Sequence, residues 1–130
     1  MRTLYQSKHA RLEIDDTLGL VRYTRSGEPF ESLSEVEALF RQLASANATI
    51  DRTNLVLLSD VRAAPGRNDE AFEKAFFTHR EALFGGFRRR AVLVRSVVGK
   101  LQVQRLSRTS PMEMQTFDDE AAALAFLTSR

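Results

Sequence analysis

The chain contains no cysteine. That excludes disulfides, thiolate metal sites and cysteine nucleophiles together, and it agrees with a reducing compartment. Histidine is scarce, two in 130 residues, so general bases are in short supply. No Ser-His-Asp order, HExxH or GxSxG occurs. No apolar run approaches the roughly 20 residues of a membrane span. The N-terminus from Met1 to His9 lacks the apolar core of a signal peptide. The expectation is a cytoplasmic protein that is not an enzyme and has no transmembrane segment, metal or cofactor.

What is present reads as globular. A hydrophobic fraction of 43% argues against disorder, and 130 residues fit a single domain over 1–130. At that size folding buries about two-thirds of the unfolded surface, enough for a core without staples. The net charge is only +2, and acids are spread among the arginines, which argues against a nucleic-acid partner.

Periodicity gives the elements. The stretch from about Leu4 to Ile14 contains the alternation Ala10-Arg11-Leu12-Glu13-Ile14, and Asp15-Asp16 is a turn signal. Leu18 to Thr24 reads as a second strand, with Leu18, Leu20 and Arg22 on one face. Ser26-Gly27-Glu28-Pro29 ends it. Ser32-Leu33-Ser34-Glu35 matches a capping box, and Leu33, Val36, Leu39, Phe40 and Leu43 follow as one helical stripe. Leu55-Val56-Leu57-Leu58 is apolar throughout, as in a strand buried on both faces.

Asn68 is a plausible cap for a helix carrying Phe72, Ala75, Phe76, His79 and Leu83, stopped by Gly85-Gly86. Ala91-Val92-Leu93-Val94 predicts another buried strand, and 98–108 a helix. A short strand over 112–117 comes next. Asp118 then opens a last helix striped by Ala121, Leu124 and Leu127. The order ββαβαβαβα predicts an α/β fold. Its mixed sheet has four or five strands, begins with a hairpin and is flanked by about four helices.

This pattern resembles the STAS domains of anti-sigma factor antagonists, in particular stand-alone STAS-like bacterial proteins. The likeness rests on four stretches: Leu55 to Val61, the helix opening at Asn68-Asp69, Arg90 to Val94, and Phe117 to Leu127. It implies a regulatory domain that works by binding another protein. In phosphorylated antagonists an Asp-Ser pair opens the helix after the central strand, and the serine accepts phosphate. Here the loop from Ala63 to Glu70 contains no serine or threonine, and Ser59 precedes Asp60 on the strand side. The resemblance therefore implies partner binding without that serine switch.

The carboxyl end of a buried strand in an open α/β sheet is where ligands and partners bind. Asp60, Arg62, Arg67, Asn68 and Asp69 are accordingly the partner-binding candidates. The plainer alternative has Asp60 capping a turn and Arg62 pairing with a nearby carboxylate. Arg88-Arg89-Arg90 offers an alternative anion site, for a small ligand or anionic lipid. His79 shares the face of Phe72 and Phe76, which makes it a core-edge residue. Val98-Gly99-Lys100 lacks the earlier glycine of a phosphate loop, because Val94 stands there. Phe77 and Phe84 lie on a second aromatic face of the same helix, which fits deep burial or a homodimer contact.

Overall fold

The computed structural model describes residues 1–65, 70–95, 101 and 115–129. One sheet holds six strands in sequential order: β1 (Arg2–Gln6), β2 (Ala10–Asp15), β3 (Leu20–Arg25), β4 (Val56–Asp60), β5 (Arg89–Leu93) and β6 (Gln115–Phe117). The first three strands form an antiparallel meander, and β3 to β6 pair in parallel. Three helices are described: α1 (Leu33–Asn47), α2 (Glu70–Phe84) and α3 (Glu120–Thr128). The helix expected over 98–108 falls almost wholly outside the described residues.

The sheet has one strand more than the four or five expected, because the opening stretch divides. Ser7 breaks it: its N–H donates to the Ala10 carbonyl at 2.8 Å, and its Oγ accepts from the N–H groups of His9 and Ala10. The next strand starts at Leu20 and not at Leu18. Asp15 Oδ1 accepts from the N–H groups of Thr17 and Leu18, holding a turn that Gly19 closes at φ +66°. Leu18 is thereby left exposed. A side-chain acceptor two residues back stabilises such a turn against strand extension.

The helices distribute by connection. Stepping the parallel strands in one direction with right-handed crossovers places the intervening helices on one face. There α1 and α2 cover Leu12, Ile14, Val21 and Leu57 with Val36, Leu39, Phe40, Leu43 and Phe76. The chain then ends on the opposite face, where α3 sets Ala123 and Leu127 against Leu20, Val56, Leu58, Ala91 and Leu93. All five residues of β4 are buried: the apolar Val56, Leu57 and Leu58, as expected of a strand covered on both faces, and with them Ser59 and Asp60. The α3 stripe is centred on Ala123 and Leu127, while Ala121 is exposed.

Two helix starts differ in detail from expectation. Ser32 caps α1 by accepting from the Glu35 N–H at 3.3 Å, but the Glu35 carboxylate accepts from Glu31 N–H rather than from that of Ser32. At α3 the cap is Asp119 and not Asp118, with Oδ2 accepting from Ala122 N–H at 2.9 Å. In both cases an oxygen satisfies an N–H that has no partner within the helix.

Candidate functional site

Strand alternation assigns the side chains of β4 to faces. Val56, Leu58 and Asp60 point toward α3, while Leu57 and Ser59 point toward α1 and α2. Asp60 is therefore the last residue of a buried row, at the carboxyl end of the parallel strands. Its side chain is only 9% exposed. A carboxylate so placed needs charged partners, and it has two. Arg62 grips it with two bonds, Nε to Oδ1 at 2.9 Å and Nη2 to Oδ2 at 2.8 Å. Arg22, from the middle of β3, donates Nη2 to the same Oδ2 at 2.9 Å.

Glu120, the first residue of α3, completes the group. Its Oε1 accepts from Arg22 Nη2 at 2.7 Å and from Arg62 Nη2 at 3.2 Å. Two guanidinium nitrogens and two carboxylate oxygens thus alternate around a closed square. Asp60 is its buried corner, whereas the side chains of Arg62 and Glu120 are each 41% exposed. Burial pushes the Asp60 pKa upward. The hydrogen bonds from the Arg62 side chain and backbone, with the charges of Arg62 and Arg22, outweigh it and hold Asp60 below the ordinary carboxylate value. The hydrogen bond to Asp60 in turn raises the Arg62 pKa.

Of the partner-binding candidates, the structure joins Asp60 to Arg62. Arg67, Asn68 and Asp69 lie outside the described residues, as do 98–100. The residues that sequence reasoning did not single out for the site are Arg22 and Glu120. The available signal for Arg22 was its place two residues after Leu20, which points an arginine to the same face as a buried leucine. Nothing in the sequence brought Glu120 to it.

The arginine triplet does not make one patch. Arg89 points to the α3 side and donates to the carbonyls of Phe126 and Ser129, both at 2.7 Å. Arg90 points the other way and reaches the carbonyls of Phe84 and Phe87. Strand alternation separates the two across the sheet, where each holds backbone carbonyls at a helix end. Arg88 is exposed.

His79 sits where α1 and α2 meet, with Nε2 3.2 Å from Glu37 Oε2 and its ring against Phe40. It is the core-edge residue expected. Phe76 is buried, and Phe72, Phe77 and Phe84 pack partly buried against the same cluster. A shallow groove of about 440 Å³ runs along α2, lined by Glu70, Glu73, Lys74, Phe77 and Thr78. Among the described residues no three His, Asp or Glu gather as a metal set, and no helix is long and apolar enough to cross a membrane.

No family model matches the chain, and no curated protein matches it. Among solved structures it is similar to an uncharacterized protein of the DUF3478 family from Shewanella loihica, described as having a SpoIIAA-like fold. The two share 19% sequence identity at a TM-score of 0.64, over 95% of this chain and 97% of that one. The resemblance to STAS domains therefore holds at the level of architecture: this chain has the SpoIIAA-like, STAS-type fold.

Proposed function

We propose that the protein is a non-enzymatic regulatory module that binds another protein. The contact surface is the carboxyl edge of the sheet, at Asp60, Arg62 and the loop running to Asp69, with the adjoining flank of α2. The observation that carries this reading is the charge square of Arg22, Asp60, Arg62 and Glu120. It stands at the edge where open α/β sheets bind their partners, rigid on its buried side and accessible at Arg62 and Glu120. The square anchors a loop start on β4 to the start of α3, so a partner touching one touches a fixed frame.

Ser59 supports the version of this reading without a serine switch. Its side chain faces α1 and α2 and the residue is 2% exposed, so a kinase cannot reach it in the folded chain. The test is capture from native lysate on immobilised protein. A partner retained by the wild type and by Arg88→Ala, but lost on Arg62→Ala, supports the assignment. Equal retention by all three places the contact elsewhere.

A further inference from the structure

Three charges of the square are not equivalent to the fourth. Asp60 is buried and held by three side-chain hydrogen bonds. It neutralises one of the two guanidinium charges permanently. What remains is one positive charge, shared by Arg22 Nη2 and Arg62 Nη2 and focused on a single point. Glu120 Oε1 occupies that point, and Glu120 is half-exposed on the first turn of a surface helix. The bond from Arg62 to it, at 3.2 Å, is the longest of the four sides.

We infer that Arg22 and Arg62 form a receptor for a single carboxylate, an Asp or Glu side chain of the partner, and that Glu120 fills it as a tethered stand-in while the partner is absent. This rests on the partner-binding reading of the same edge and names the partner's chemistry there. The site favours a monoanion. A phosphate dianion at that point would sit beside Asp60 Oδ2, which shares both nitrogens, and the exposed Asp118 and Asp119 directly precede Glu120 in the chain. A tethered competitor lowers apparent affinity by the fraction of time it occupies the site. Exposed and half-exposed ion pairs are worth little, so the competitor is displaceable.

The experiment uses the full chain and three probes: a blocked tripeptide of Glu residues, its Gln counterpart, and inorganic phosphate. Binding is followed at low salt through the Nε–H resonance of Arg22, which every variant keeps. Glu120→Gln keeps the shape of the side chain and removes its charge. The expected result is acidic-peptide binding about tenfold tighter in Glu120→Gln than in the wild type, weakened by salt and absent for the Gln peptide. It should be lost in Glu120→Gln with Arg62→Gln. Arg62→Lys in the Glu120→Gln background serves as a second variant that keeps the charge and loses the fork; weakened but measurable binding there supports the site. Unchanged affinity in Glu120→Gln overturns the stand-in role. Phosphate binding tighter than the peptide overturns the carboxylate assignment. If either occurs while partner capture still depends on Arg62, the inference fails and the binding surface stands.

Discussion

Arg22 and Glu120 are 98 positions apart and meet at 2.7 Å. The bond spans from β3 to α3 across β4, and it closes the square around Asp60. The two ends differ in what they support. Arg22 is 18% exposed and also serves a buried carboxylate. Its removal leaves Asp60 with one cation instead of two. Arg22→Met is expected to cost about 1–3 kcal/mol. Glu120→Gln should cost under about 1 kcal/mol, since the pair it breaks is partly exposed. Urea unfolding of the two variants should rank them in that order.

The Asp60 pKa is depressed in the folded chain. The native state therefore favours the ionised form more than the unfolded chain does. Its contribution is complete above the ordinary Asp value of about 4 and is lost as pH falls through the lower folded value. The stability gap between wild type and Asp60→Asn should be constant near neutrality and should shrink in acid. A gap that widens as pH falls would contradict the arrangement of charges around Asp60.

Tyr23 is pushed up to about 12, chiefly by burial, with the Arg25 charge opposing and Tyr5 adding to the rise. Below about pH 10 both states keep the phenol neutral. Between about 10 and 12 the unfolded chain ionises while the native one holds its proton, so stability falls by up to about 1.4 kcal/mol per pH unit from this group. The chain has two tyrosines and no tryptophan, which leaves the tyrosinate absorbance clean. Titration should show a step near 12 that Tyr23→Phe removes.

The Ser59 hydroxyl is buried and has no hydrogen-bond partner among the described residues. An unmet buried hydroxyl is a desolvation cost, so deleting it relieves more than it removes. Ser59→Ala should be neutral or stabilising by up to about 1 kcal/mol, read as an unchanged or higher thermal midpoint. It should also leave partner capture intact.

Asn47, at the end of α1, donates Nδ2 to the carbonyls of Ala82 and Leu83 at the end of α2. Arg52 reaches the Ala82 and Gly85 carbonyls from the next turn. These donors satisfy carbonyls that no residue of α2 can reach. Asn47→Ala should cost about 1–2 kcal/mol. Amide exchange should then rise first at the C-terminal turn of α2.

Much of the architecture was legible because it rests on local periodicity. The apolar run of β4, the stripe of α1 and the stop at Gly85-Gly86 each depend on residues that are neighbours in sequence. Gly86 at φ +84° is the left-handed residue that such a stop needs. The split of the opening strand was missed because the Ser7 side chain, not a Gly or Pro, makes the break. The shifted start of β3 was missed because the Asp15 turn competes with the apolar character of Leu18.

The site was half legible. Asp60 and Arg62 could be named from their place after a buried strand, because two residues at a strand end share one neighbourhood. The arginine triplet misled for the same local reason. Residues adjacent in sequence alternate across a strand, so Arg89 and Arg90 serve opposite faces. By itself the sequence determined that β4 is buried on both sides, that Asp60 ends it, and that no hydroxyl lies between Ala63 and Glu70. Only the tertiary structure decided what neutralises Asp60. Its cations come from β3 and from the loop after β4, and the pairing of β3 with β4 and the packing of α3 across the sheet bring Glu120 onto both of them, at 2.7 and 3.2 Å.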